Sequence, residues 1–229
     1  MKVSAIIVAA GFGTRLGYMM PKAFVSINGS SLLCHVLRTA RSVEALSEVV
    51  VAVPAGAQKA ARAEVAAAGL QIPVKITEGG AERQESVHLA LMLTSAEADL
   101  VVVHDAARPF ATTALFSACI AAAAQDGAAI AAIPVVDTLK EVSQGIIVET
   151  VPRTSLWQAQ TPQAFRRELL IQAHALAARE TLAVTDDADL CERLGIRIRV
   201  VPGSALNLKI TTPEDVRLAG AIESLVFPR

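Results

Sequence analysis

Residues 3–24 read VSAIIVAAGFGTRLGYMMPKAF, and this stretch decides the fold. From Val3 to Val8 no side chain is charged, and the run passes through Ala9 and Ala10 directly into glycines at 11 and 13. A short apolar run closed by a glycine turn reads as a strand buried on both faces, as in a parallel sheet covered by helices. Arginine stands at 15 and lysine at 22, and no acidic residue occurs before Glu44. Lys2 ahead of a short apolar stretch also mimics the start of a signal peptide, but its single charge and the structured GFGTR turn favour the strand.

Outward from this strand the pattern repeats. β-Branched runs at 49–53, 73–77, 100–103, 129–136 and 197–201 alternate with stretches of helical spacing at 31–42, 57–69, 82–95, 112–125, 166–180, 187–194 and 213–224. Alternation of this kind predicts an α/β three-layer sandwich around a mostly parallel, mixed sheet, with ligands at the carboxyl ends of the strands. The whole chain, 1–229, reads as one domain. Hydrophobic residues make up 53% and aromatics 3%, so the core is expected to be Ala, Val, Ile and Leu. A formal net charge of −1 offers no global field for nucleic acid or an anionic membrane, and any anion binding must be local. No apolar run approaches the ~20 residues of a membrane span. Cys34, Cys119 and Cys191 lie far apart, outside any metal-ligand spacing, and read as small buried side chains in a reducing compartment. A cytoplasmic location is expected.

Residues 137–151, DTLKEVSQGIIVETV, break the alternation with two β-rich runs around Ser-Gln-Gly, the mark of a hairpin. An isolated hairpin is marginal in water. This one carries Leu139, Val142, Ile146, Ile147 and Val148 with no helix of its own to cover them, so its cover is either its own domain or a second subunit.

The glycine loop fits neither common nucleotide pattern. A dinucleotide fingerprint needs glycine where Leu16 stands and an acid about 20 residues on, and GxxxxGK[ST] is absent. What remains is a turn whose backbone N–H groups can approach phosphate closely because Gly11 and Gly13 lack Cβ, with Arg15 as a planar fork and Lys22 as a point charge.

AAGFGTRLG followed by PKAF resembles the nucleotide-binding loop of GT-A-like nucleotidyltransferases, which have a Rossmann-like fold. With HDAARPF (104–110), PVVDTLK (134–140), VPRTSLWQAQTPQAF (151–165), VTDDA (184–188) and NLKITTPED (207–215), the chain resembles the 2-C-methyl-D-erythritol 4-phosphate cytidylyltransferase family over nearly its whole length, in the right order. The resemblance implies transfer of CMP from CTP to the 4-phosphate of 2-C-methyl-D-erythritol with Mg²⁺, releasing pyrophosphate, in a homodimer that uses 137–151 as a protruding dimerisation arm. It implies that the loop of Ala10, Gly11, Phe12, Gly13 and Thr14 wraps the triphosphate while Arg15 and Lys22 stabilise the transition state. Gly80 and Ser86 would read the cytosine, with Ala106 also on the nucleotide, and Ala81 stands where the family often has Asp. Arg153 and Lys209 would hold the acceptor for attack.

Asp105, at the end of a central strand, is the expected ligand for a metal or a substrate hydroxyl, with Arg108 either pairing with it or binding the acceptor. Thr138 and Arg153 would come from the neighbouring subunit, so that two chains share each active site. Thr185 is assigned by the resemblance to the acceptor, yet TDDADL also reads as a helix cap, and both readings stand. TTPED reads as a cap with Pro at the first helical position, and Lys209 is expected on a short strand just before it. His104 is expected to be a packed side chain, since an ionised phosphate needs no base. A sister enzyme using ribitol 5-phosphate is the nearest rival, and a non-catalytic nucleotide-binding protein the rival of a different class.

Overall fold

The computed structural model describes residues 1–13, 17 and 20–226. In chain order it contains β1 (Val3–Val8), a single 3-10 turn (Lys22–Phe24), β2 (Ser26–Ile27), β3 (Ser30–Ser31), α1 (Leu32–Arg41), β4 (Leu46–Val53), α2 (Gln58–Ala68), β5 (Val74–Glu78), α3 (Arg83–Leu91), β6 (Leu100–Asp105), α4 (Thr113–Asp126), β7 (Ala128–Pro134), β8 (Leu139–Ser143), β9 (Ile146–Val151), β10 (Trp157–Arg166), α5 (Arg167–Glu180), α6 (Asp187–Arg193), β11 (Arg199–Pro202) and α7 (Pro213–Val226). Among the described residues seven strands form one sheet in the order β11-β7-β10-β6-β1-β4-β5. β1 pairs in parallel with β4 and β6, β4 with β5, and β7 with β11, while β10 runs antiparallel between β6 and β7.

The three layers follow from the two-residue period of the strands. Ala5, Ile7, Val49, Val51 and Val102 face a core that includes Leu33, Leu37, Ala61, Phe116 and Ile120 from α1, α2 and α4. Ile6, Val50, Val101 and Val103 face the opposite core, closed by Val87 and Leu91 of α3, Leu170 and Ala173 of α5, and Leu190 of α6. Both faces are covered, which is why these strands read as continuous apolar runs rather than as alternation. α7 packs apart from these layers, joining Phe110 and Ile210 over Val25 and Ile27. Cys34, Cys119 and Cys191 are buried free thiols, and burial pushes Cys119 and Cys191 up to about 12, so both are inert neutral groups.

β10 departs from the sequence expectation, which placed no strand there. Its pairing with β7 slips register between Ala159 and Gln163, and Pro162 lies within that irregularity, where no ladder donor is required. The proline and the glutamines at 158, 160 and 163 hide a strand that is nevertheless central.

The hairpin at 137–151 forms as read. β8 and β9 pair only with each other, apart from the large sheet. Leu139 is half-buried, but the other four apolar side chains stay largely in solvent: Val142 is 55% exposed, Ile146 72%, and Ile147 and Val148 both 59%. Among the described residues no helix is long and apolar enough to cross a membrane.

Candidate active site

The carboxyl ends of β1 and β6 lie side by side, paired from Val3–Leu100 to Val8–Asp105, and the chain leaving each is held against its neighbour. The Ala106 N–H donates to the Val8 carbonyl at 3.0 Å, and Ala9 N–H to Ala52 O at 2.8 Å. Beyond these ends the 3-10 turn returns, with Lys22 N–H donating to Gly11 O at 3.1 Å, so the lysine comes back beneath the glycine loop. The result is a cavity of about 300 Å³ lined on one side by Ala10, Gly11, Gly13 and Lys22. Gly13 has φ +62°, a left-handed conformation that other residues adopt only with strain. At Gly11 a Cβ would meet no protein atom within 4 Å among the described residues. Among the described residues, packing therefore does not require glycine at 11.

The turn after β5 supplies a second wall. Here glycine is needed for packing: a Cβ on Gly79 would lie 2.4 Å from Ala10 Cβ and 2.6 Å from Ser86 Oγ. The two loops thus touch. Gly80 N–H donates to Ser86 Oγ at 3.1 Å, Ser86 Oγ donates to Glu82 O at 3.0 Å, and Ala81 N–H donates to Glu85 Oε2 at 2.8 Å. The Ala81 N–H is thus taken up by the carboxylate of Glu85, which closes the turn.

The third wall is a charged cluster that the sequence reading only partly foresaw. Asp105, 6% exposed, accepts from Lys209 Nζ on Oδ2 at 2.7 Å and from Arg83 Nε on Oδ1 at 3.0 Å. Arg83 continues through Nη1 to Asp187 Oδ2 at 2.8 Å, and Asp187 Oδ1 lies 3.2 Å from His174 Nε2. Burial opposes the charge on Asp105, yet the adjacent Arg83 and Lys209 outweigh it and hold the carboxyl well below the usual range. Arg83 went unnoticed in sequence. A cation in the first turn of a helix opposes the helix dipole, so its position in EGGAERQES was the available sign that carboxylates elsewhere compensate it.

His104 is a packed side chain, as expected. Its Nε2 lies 3.0 Å from the Arg108 carbonyl, so that nitrogen carries the proton and Nδ1 accepts from Thr161 Oγ1 at 3.0 Å. Thr161 Oγ1 in turn accepts the Asp105 N–H at 3.0 Å. Burial pushes the imidazole down to about 4, which keeps it neutral and fixes the backbone of the Asp105 corner.

Of the expected site residues, Ala10, Gly11, Gly13, Lys22, Gly80, Ser86, Asp105, Ala106 and Lys209 line one cavity. Thr14 and Arg15 lie outside the described residues. Phe12 is 64% exposed and does not line the cavity. Arg108 does not pair with Asp105: its Nη1 donates to Asn207 O at 2.8 Å and its Nη2 to Ala159 O at 3.3 Å, anchoring the segment that carries Lys209. That segment is irregular rather than a strand, pinned by Ile210 N–H to Ala107 O at 2.8 Å. Thr185 is exposed and off the cavity, and Asp186 caps α6, accepting from Asp189 N at 3.1 Å. The TTPED cap forms as read, with Asp215 N–H on Thr212 Oγ1 at 3.3 Å and Asp215 Oδ2 accepting from both Thr211 and Thr212. Thr138 and Arg153 are exposed at the base of the hairpin and do not line this chain's cavity.

Among the described residues no group of three or more His, Cys, Asp or Glu gathers as a metal cage. Each Asp105 oxygen keeps lone-pair capacity beyond its ion pair, and one carboxylate plus substrate phosphates is a common way to hold a small hard cation. The donor set fits a divalent ion carried in on a triphosphate.

A mixed sheet whose carboxyl edge bears a small-residue loop, a backbone turn, two cations on one carboxylate and a third lining the same cavity has the arrangement of a nucleotidyltransferase. The family model for "IspD: 2-C-methyl-D-erythritol 4-phosphate cytidylyltransferase" matches residues 3–224, and the chain belongs to that family. The Deinococcus radiodurans protein of that name is 48% identical, over 96% of this chain and 89% of the relative. The one from Syntrophus aciditrophicus is 42% identical, over 96% of this chain and 95% of the relative. The crystal structure of the Thermus thermophilus enzyme superposes with a TM-score of 0.82 at 39% identity, covering 97% of this chain and 98% of that one.

Proposed function

We propose that the cavity binds CTP with its triphosphate on the Gly11–Gly13 loop and its cytosine at the Gly80–Ser86 turn, and presents the α-phosphorus to 2-C-methyl-D-erythritol 4-phosphate. The acceptor phosphate attacks that phosphorus, CMP is transferred, and pyrophosphate leaves. Two anions must meet, so the chain's contribution is fixed positive charge and positioning rather than acid–base chemistry. Lys22, beneath the loop, faces the leaving phosphates, with Arg15 in the same role. Lys209 faces the acceptor. Gly80 and Ser86 separate cytosine from uracil by backbone and hydroxyl groups that match the exocyclic amine and N3.

Asp105 would hold a Mg²⁺ ion bound to the phosphates, and such an ion offsets charge on the leaving group. The enzyme acts as a homodimer in which Thr138 and Arg153 reach the partner's cavity. Two facts support this: neither residue lines its own chain's cavity, and the arm between them exposes an apolar strip.

The observation that carries the reading is the convergence of Lys22, Arg83 and Lys209 on one carboxylate-bearing cavity under the glycine loop. Purified protein with CTP, Mg²⁺ and 2-C-methyl-D-erythritol 4-phosphate should release pyrophosphate. Release with ribitol 5-phosphate alone, or CTP binding without release, would overturn it.

A further inference from the structure

Arg83 sits where three elements meet. It begins α3, one residue after the turn assigned to the base, and its side chain spans from Asp105 at the end of β6 to Asp187 in the first turn of α6. Asp187 is 1% exposed, and its second oxygen is occupied by His174, itself 3% exposed. The far anchor is therefore rigid. The planar fork meets the two carboxylates through separate nitrogens, Nε on one side and Nη1 on the other, whereas an ammonium would have to meet both from one atom.

The consequence falls on Lys209. Asp105 shares its charge between Arg83 on Oδ1 and Lys209 on Oδ2, and an ammonium has three donors of which this pair uses one. Were Arg83 absent, the whole carboxylate charge would turn to Lys209 and compete with an incoming phosphate.

We propose that Arg83 is a positioning residue for the transfer step: braced by Asp187, it holds one oxygen of Asp105 so that Lys209 stays available to the acceptor phosphate. This inference rests on the functional reading above. It assigns a job to a side chain that lines the cavity without itself being required to touch the acceptor.

The test uses the full-length enzyme, and wild-type turnover with CTP and 2-C-methyl-D-erythritol 4-phosphate is measured first. Failure there overturns the functional reading itself. Given turnover, Arg83→Met is expected to lower kcat/KM for the acceptor by about 10- to 100-fold, the scale of one charge-assisted hydrogen bond, while CTP affinity by titration moves less than about threefold. Acceptor kinetics like the wild type's, or an equal loss in CTP affinity, would refute the inference alone.

Because Arg83→Met leaves Asp187 buried without its cation, the double variant Arg83→Met/Asp187→Asn is run beside it. Recovery of the melting temperature with the acceptor defect intact supports a positioning role. Recovery of both shows a structural one and refutes it. Arg83→Lys keeps the charge in place without the fork, and it should fold while raising the acceptor KM at least about threefold with CTP affinity unchanged. A wild-type acceptor KM in that variant contradicts the proposal whatever the stability of the others.

Discussion

Lys22, which lines the cavity, and His104, buried behind Asp105, carry opposite kinds of prediction. Lys22 is held by its backbone bond to Gly11, and its side chain lines the cavity. Lys22→Ala should reduce turnover at least ~100-fold, the scale of removing one preorganised donor, with melting temperature unchanged. Near-normal turnover would remove it from the mechanism. His104 instead predicts a stability effect. Its folded pKa is about 4 against 6.5 for an unperturbed histidine, so between those values the unfolded chain binds a proton that the fold refuses.

The free energy of unfolding should then fall as pH drops from about 6.5 to about 4, by about 3 kcal/mol at this residue, and level off below. His88, also lowered, adds a contribution of the same sign. Asp105 and Asp187, both lowered from 3.8, bring a second decline only at lower pH, as the carboxylates are protonated. Denaturant melts at pH 6.5 and 4.5 on wild type and His104→Asn check this: the difference should shrink in the variant, and an equal difference would locate the effect elsewhere.

At the scale of elements, the arm is the most exposed commitment. A two-stranded ribbon with four large apolar residues in solvent is unstable alone and prone to pairing. Ile147→Asp should convert a dimer to monomer by sedimentation and abolish turnover with it; an active monomer would refute a shared site. The sharing itself has a sharper test. Lys22→Ala and Arg153→Ala, each inactive, are co-refolded. If Arg153 acts across the interface, mixed dimers contain one intact site and total activity returns to about a quarter of wild type, since half the dimers are mixed and half their sites are whole. No recovery places both residues in one chain's site.

The elements also show what a sequence conceals. β1, β4, β6 and β7 were legible because burial on both faces leaves an unbroken apolar record. β10 was not, because a strand interrupted at Pro162 and rich in glutamine matches neither template, and only its antiparallel place between β6 and β7 makes it structural. The hairpin was legible from its turn, but nothing in sequence alone says what covers it.

For the whole molecule, the site was readable wherever local chemistry forces a residue choice and unreadable where partners come from afar. Gly11, Gly13 and Lys22 lie within a dozen residues of one another, and the structure brings them to one cavity. Arg83 is bonded to residues 22 and 104 positions away in sequence, a relation only the fold reveals. The same holds for Arg108, whose brace on the Asn207 carbonyl, ahead of Lys209, spans 99 positions of sequence.

All of these assignments depend on where CTP lies. A structure of the protein with CTP bound should show the β- and γ-phosphates against the backbone N–H groups of Gly11 to Gly13 with the Lys22 ammonium within hydrogen-bonding distance. Phosphates seated elsewhere, with Lys22 turned away from them, would contradict the account at its centre.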